Sequence, residues 1–425
     1  MKLKNWNGNP IVPAADVVNY VDDGALLKES CLRGNGRSYG DASLDQHILS
    51  MLSCRETLEL NKGILNVSSG FTLEEVLNFI VPQGFLFPCI PGTKFVTIGG
   101  MIAADAHGKN HEKNGAIGHW INSLELKLAS GEVLRCSAET HSGLFRATIG
   151  GLGLTGMILS AELNLVKTAG TSMLQQTTRH PSIEHMLEAL NASASEYKVA
   201  WFDARQPSDF FLLASDPIIE QSAQPFRLQK AKVNVPKLPF SLVNEGLMKI
   251  YNRRYARSLI SQLGKPQTLS FDACFFPLDR IGHWNRLYGP RGFYQLQCCF
   301  PFEVAKEGVE VILSSCREAQ IFPVLSVVKK HGNHPKAGLL SFTEPGISFA
   351  FDFINRAGTK EHLEGLNKKV ADLGGRVYLV KDALLDAGTF EQMYPEVALF
   401  REEVGKVNRG QFSSLMAKRL NLLSK

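Results

Sequence analysis

Thirteen of the 37 glycines in this chain of 425 residues fall between Gly84 and Gly156. Glycine at that density marks backbone that turns sharply or comes too close to a ligand for a side chain to intervene. Strand and helix signals alternate around it. Gly63 to Val67 reads as a strand. Thr72-Leu73-Glu74-Glu75 has the spacing of a capping box, so a helix starts there and ends before Pro82-Gln83-Gly84. Ser123 to Leu128 and Val133 to Arg135 alternate about Ala129-Ser130-Gly131-Glu132 and read as a hairpin.

The texture changes after about residue 168. Ala200 to Asp203, Gln295 to Phe300 and Ile347 to Phe353 read as strands, Glu303 to Ala319 as a helix, and Thr389 to Leu423 as a helical tail. This pattern predicts an α+β chain whose second domain is built around a mostly antiparallel sheet with flanking helices. An apolar fraction of 44% and a charged fraction of 20% suit a soluble globular protein. The polar, proline-broken start is unlike a signal peptide, and no apolar run approaches the ~20 residues a membrane span needs. Eight cysteines without a CxxC pair do not resemble a disulfide framework. A cytoplasmic location is expected.

Two motifs invite misreading. His107 and His111 stand four apart, as two metal ligands on one helix face would. Gly108 and Asn110 between them are poor helix formers, and no third ligand or HExxH pattern accompanies them, so no metal site is expected. Gly151-Leu152-Gly153-Leu154-Thr155-Gly156 matches GxGxxG. The residues immediately after it, Met157 to Leu165, read as a strand where the dinucleotide fingerprint needs a helix, and no acid stands about 20 positions later. There remains a pair of glycine-rich loops without a Walker lysine: Arg33 to Asp41, and Pro91-Gly92-Thr93 with Thr97 to Gly108. Successive amides in such loops form nests for anions, and small residues let a pyrophosphate come close.

The order RGNGRSYGD, GFTLEE, QGFLFPCIPGT, TIGGMIAADAHG, LASGEVLRCS and GLFRATIGGLGLTGMI resembles the FAD domain of the vanillyl-alcohol-oxidase/PCMH flavoenzymes. HGKNHEKNGAIGHW, AWFD, HWNRLYGP, GFYQLQ, RVYLVKD and FEQMYPEV resemble its decaprenylphosphoryl-β-D-ribose 2′-oxidase branch, from about residue 30 to the end and most weakly over 205–270. The resemblance implies a PCMH-type FAD domain of two subdomains, 1–167 with 376–425, and a substrate domain, 168–375. It implies a pyrophosphate cradle of Leu32, Arg33, Gly34, Asn35, Gly36, Arg37, Ser38, Tyr39, Gly40, Asp41 and Ala42. Gly92, Thr97, Ile98, Gly99, Gly100, Ala104, Asp105, Ala106, His107 and Ile158 would lie along the flavin and ribityl parts, with Tyr378 touching the flavin. The first loop lacks the histidine that many members bond to FAD, so non-covalent FAD is expected.

Lys381 matches the family's lysine at the flavin–substrate junction. A buried ammonium there would stabilise the negative charge that hydride transfer to flavin N5 leaves, and could steer the substrate hydroxyl. Gln295 and Gln297 alternate on one strand and therefore share a face; with Lys329 they match the family's cavity residues. Ala350 stands where mycobacterial members have a cysteine. The implied reaction is oxidation of a secondary hydroxyl of a sugar or sugar-lipid, a polyprenyl-phosphate-linked pentose, to a 2-keto sugar. A separate short-chain reductase would then complete an epimerisation. Oxidation of a free polyol or aldonolactone, and a flavin-binding scaffold without turnover, are the alternatives.

Between Phe226 and Gln267 nine basic residues meet one acid, so this segment carries +8 and the rest of the chain −3. Val243, Leu247, Tyr251, Tyr255, Leu259 and Leu263 recur every four residues as an apolar stripe. The segment reads equally as a lid or membrane-facing element that meets an anionic partner at the inner face of the plasma membrane, or as an amphipathic helix packed on its own domain. Nucleic acid is disfavoured, because aromatic interleaving is thin and no nucleic-acid fold signature is present.

Overall fold

The structure is a computed structural model and describes residues 2–13, 15–21, 29–168, 170–219 and 226–423. Three sheets position the site. The first is parallel, with His47–Ser50 between Asp16–Asn19 and Cys31–Arg33. The second is antiparallel in the order Val133–Ser137, Ile121–Lys127, Met157–Asn164, Ile64–Ser68, Leu58–Asn61. Beside it the helix Leu73–Ile80 begins with the expected capping box, in which Thr72 N–H donates to Glu75 Oε2 at 2.9 Å. Leu73, Val76, Leu77 and Ile80 recur at helical spacing and are fully buried in the core of this subdomain.

The third sheet is antiparallel throughout its eight strands, in the order Gln267–Ser270, Ser172–His180, Phe210–Pro217, Tyr197–Phe202, Leu325–His331, Gly346–Ile354, Phe293–Phe300, Arg376–Val377. Helices Ile183–Ala192, Ala305–Ala319 and Thr359–Asp372 supply the apolar cover for one face. Alternation does the sorting. Leu296, Cys298, Val328, Phe349 and Phe351 enter the core beneath those helices, and their neighbours along each strand point the other way. Cross-strand register then builds rows on that second face: Gln295 beside Asp352 beside Leu325, and Gln297 beside Ala350 beside Val327.

The tail is three short helices, Ala387–Met393, Val397–Val407 and Leu415–Arg419, and not one continuous pattern. Pro395 interrupts it once, and Arg409 and Gly410, both with positive φ, interrupt it again. The returning chain is stitched to the N-terminal subdomain: Ser30 N–H donates to Gln411 at 2.7 Å and Leu415 N–H to Leu44 at 2.8 Å. All eight cysteines are free and buried. Among the described residues no helix is long and apolar enough to cross a membrane.

The basic segment holds the helix Glu245–Ser261, capped by Asn244. The apolar stripe expected of it is split. Val243 and Leu259 are buried and Tyr255 packs against Trp201, but Leu247 and Tyr251 are 51% and 56% exposed. The buried side instead takes in Asn252, so the helix seats only part of its apolar surface on its own domain.

Candidate active site

The unadorned face of the large sheet looks across a cavity of about 350 Å³ at the two glycine-rich loops. Three kinds of backbone make the far wall. The first is the bend Gly34 to Ser38, whose amides donate to no other described residue. The second runs from Pro91 to His107 and includes the short helix Ile98–Ala103, with Thr97 Oγ1 accepting from Gly100 N–H at 3.2 Å. The third is Leu152, Gly153, Gly156 and Ile158. The two loops touch: a Cβ on Gly34 would stand 2.2 Å from Thr97 Oγ1. A Cβ on Gly92 would meet nothing within 4 Å. Unpaired amides beside a wall of Gly and Ala residues are what a pyrophosphate and a flat ring system require, so the residues present fit FAD.

Of the expected cofactor residues, Leu32 to Tyr39, Ala42, Gly92, Thr97, Gly99, Gly100, Ala104, Ala106, His107, Ile158 and Tyr378 line the cavity. Four do not, and each has a structural task instead. Gly40 backs onto the Asp382 carbonyl, which its Cβ would approach to 1.9 Å. Asp41 makes a paired contact with Arg419, at 2.9 Å from Nε and 2.7 Å from Nη2. Ile98 is core. Asp105 accepts from Gly118 N–H at 3.0 Å and from Ser341 Oγ at 2.6 Å, buttressing the loop from behind. The GxGxxG at Gly151 to Gly156, discounted as a dinucleotide fingerprint, nevertheless contributes Leu152, Gly153 and Gly156 to the wall.

Lys381, Lys329, Gln295 and Gln297 all line the sheet side of the same cavity. Lys381 ends the turn Leu379–Lys381 and holds its ammonium 3.5 Å from the centre of the Tyr39 ring. Burial pulls its pKa down from the ordinary lysine value, opposed by the carboxylate of Asp352 and reinforced by Lys329. Asp352 is buried, accepts from the Gln295 amide, and is held above the usual carboxylate range by its burial. Lys329 has no acidic partner among the described residues; burial and the nearby Lys109 lower it to about 8. The cavity thus offers one ammonium balanced by a buried carboxylate and one that is not. Tyr378 donates to the Ala104 carbonyl at 2.9 Å and stacks on Phe342, tying the turn Leu379–Lys381 to the glycine wall. Gln297 Nε2 lies 2.9 Å from His107 Nε2.

Asp352 carried no expectation from the sequence, although alternation from Gln295 through the paired strand leads straight to it. Asp279, which accepts from Thr93 and from the Lys94 amide, and Trp284 also lie on the cavity wall without any short-range signal. Among the described residues no group of three or more His, Cys, Asp or Glu is arranged to hold a metal ion.

Comparison with known proteins names the class to which this geometry belongs. Residues 28–137 match the FAD binding domain family. The chain is 33% identical over 417 residues to decaprenylphosphoryl-β-D-ribose oxidase of Mycolicibacterium smegmatis, covering 92% of this chain and 89% of that protein. It is 27% identical over 375 residues to an uncharacterised Streptomyces coelicolor protein, all of which is covered. A D-lactate dehydrogenase of Anaerostipes hadrus matches over 39% of this chain at 31% identity. The protein is therefore an FAD-dependent oxidoreductase with a PCMH-type FAD domain. Within that class the chain belongs to the decaprenylphosphoryl-β-D-ribose oxidase family.

Proposed function

We propose that the enzyme oxidises a secondary hydroxyl of a pentose carried on a polyprenyl phosphate, giving a 2-keto sugar as the first half of an epimerisation. The observation that carries this reading is the convergence of Lys381, Gln295, Gln297 and Lys329 on one face, opposite a cradle shaped for a flavin. FAD, held without a covalent bond, supplies a two-electron acceptor for the hydride. Lys381 and Gln297 hydrogen-bond the reacting hydroxyl and fix its carbon toward the glycine wall. A lysine ammonium in this position also offsets the negative charge that hydride transfer creates. Lys329, without an acidic neighbour, favours a substrate with an anionic group. The substrate domain, 168–375, encloses the sugar and excludes water.

The lipid part of the substrate would be met at a membrane surface. Leu247, Ile250 and Tyr251 are exposed on the helix Glu245–Ser261, among exposed Lys249, Arg253, Arg254 and Arg257. Exposed apolar side chains among cations suit the interface of an anionic bilayer. Co-sedimentation with vesicles of anionic lipid, lost in Arg253→Glu/Arg254→Glu, is expected; equal binding to neutral vesicles would remove the electrostatic part of this reading.

The reaction is tested by anaerobic bleaching of the bound flavin. A polyprenyl-phosphopentose should reduce it, whereas free xylitol and gulonolactone should not. Reduction by the lactone or polyol alone would assign the enzyme to free-sugar oxidation. A product that a short-chain reductase converts to the epimeric alcohol supports the two-step scheme.

A further inference from the structure

Three imidazoles face one another at the cavity wall, and of these His107 alone lines the cavity. The ring centres of His107 and His331 are 5.2 Å apart, those of His331 and His111 4.6 Å, and those of His107 and His111 6.4 Å. The three residues are 6%, 0% and 1% exposed, in the order His107, His331, His111. Each has one ring nitrogen, His107 Nδ1, His331 Nε2 and His111 Nε2, that is buried without a hydrogen-bond partner among the described residues. Three such orphans in one place are costly unless something bridges them, since a buried unpaired polar group costs about 1–3 kcal/mol.

The other nitrogens determine what the orphans carry. His111 Nδ1 accepts from the Gly332 amide at 3.2 Å, so in the neutral ring the proton is on Nε2. His107 Nε2 accepts from the Gln297 amide at 2.9 Å, which leaves the proton on Nδ1. His331 Nδ1 lies 3.5 Å from Cys299 Sγ, whose thiol donates to the Phe300 and Glu344 carbonyls, so Nδ1 donates to the sulfur and Nε2 keeps a bare lone pair. Two donors and one acceptor therefore belong to three neighbouring rings, and a single water between them would satisfy all three by accepting twice and donating once. Buried waters typically make about three such bonds. The surroundings keep the rings neutral: burial lowers all three, Lys329 comes next for His107 and His331, and on His111 the neighbouring His331, His334 and His119 act ahead of Lys329.

We propose that His107, His111 and His331 hold one enclosed water, and that this water fixes His107 as the tautomer that presents its Nε2 lone pair to Gln297 and the cavity. The proposal rests on the oxidation reading for its consequence. When the sugar is oxidised, the carbon–hydrogen electron pair leaves as hydride to the flavin and the hydroxyl O–H bond breaks. Once the Gln297 amide gives up His107 Nε2 to the hydroxyl, His107 Nε2 takes that proton and Nδ1 shares its own with the water, whose hydrogen bond to His331 Nε2 spreads the positive charge over the cluster. His331 and His111 are positioning residues; neither touches substrate.

Two kinds of measurement test this. Long-range proton–nitrogen NMR of 15N-histidine-labelled protein, with and without FAD, should show His107 protonated on Nδ1 and His111 on Nε2. A high-resolution crystal structure should show one water bonded to all three nitrogens. A His107 ring protonated on Nε2 alone, or three imidazoles with no shared water, overturns the proposal whatever the substrate. In stopped-flow reduction by the pentose lipid, His331→Leu should lower the limiting rate 10- to 100-fold with little change in KM. His331→Gln, which keeps an acceptor near the Nε2 position, should restore most of it; equal rates in the two variants overturn this charge sharing. Should His331→Leu not fold, His111→Leu against His111→Gln gives the same comparison. If the NMR and crystal results hold while the wild type is not reduced by the pentose lipid, the substrate reading falls and the water site stands.

Discussion

Lys381 gathers more physical consequence than any other residue. Its ammonium sits on the Tyr39 ring, faces Asp352 and is depressed by its own burial, so a small energy separates its charged and neutral forms. Lys381→Met should leave FAD bound and cut single-turnover bleaching by ~10²–10³-fold, the cost of removing one well-placed donor. Lys381→Arg should not rescue it, because a guanidinium cannot shed its proton and its fork does not fit a point-charge site. Bleaching at the wild-type rate in Lys381→Met would show that the lysine is structural. The glycines divide by what lies beyond their missing side chains. Gly40 has φ of +76° and a carbonyl where a Cβ would go, so Gly40→Ala should destabilise the fold by at least ~1–3 kcal/mol in chemical denaturation. Gly92 faces open cavity, so Gly92→Ala should unfold like the wild type without cofactor yet bind FAD about tenfold more weakly, the effect of ~1.4 kcal/mol of crowding. Fluorescence titration of the apoprotein with FAD separates the two cases.

At the scale of elements, local chemistry was readable wherever a short-range rule decides the outcome. The Thr72 capping box, the hairpin through Gly131 and the shared face of Gln295 and Gln297 follow from spacing alone, and the structure has all three. Where a partner hundreds of residues away decides the outcome, the sequence is silent. Asp41 and Asp105 sit inside cradle motifs yet face Arg419 and Ser341, and nothing nearby in sequence marks either pairing. The basic helix shows the same limit. Its period-four stripe is real, but contact with Trp201 and Leu213 selects which side is buried, leaving Leu247 and Tyr251 outside. The last helix, Leu415–Arg419, is held by one such long-range contact. Arg419 joins Asp41 to Asp382, 2.9 Å from the latter, with both carboxylates nearly buried. Truncation to Arg419→Ala strands two buried charges, so a loss of ~3–5 kcal/mol is expected in urea unfolding. A cost under ~1 kcal/mol would mean that the pair behaves as a solvated surface bridge.

Across the whole molecule, the FAD fold was legible because its glycine loops must recur in a set order for two backbones to close on one cofactor. The histidine cluster was not, since His331 lies more than 200 residues beyond His107 and only the large sheet brings them together. That cluster couples the site to the stability of the entire chain. His107, His111 and His331 are all held below the ordinary histidine value by burial, His331 to about 3. Above pH 6.5 these rings are neutral in both folded and unfolded chains and cost nothing. As pH falls below 6.5 the unfolded chain takes up three protons that the folded chain refuses, so stability drops by ~1.4 kcal/mol per pH unit for each ring. Asp352 works in the opposite sense: its raised folded pKa means that the native chain gains a proton first, which returns about one ring's worth. From these four groups the expectation is a loss of ~3 kcal/mol per unit between pH 6 and 5, read from denaturation midpoints at fixed ionic strength. In His111→Gln/His331→Gln the slope should fall by about the contribution of two rings, ~2.7 kcal/mol per unit. A slope unchanged by that double substitution would place the acid sensitivity elsewhere in the fold.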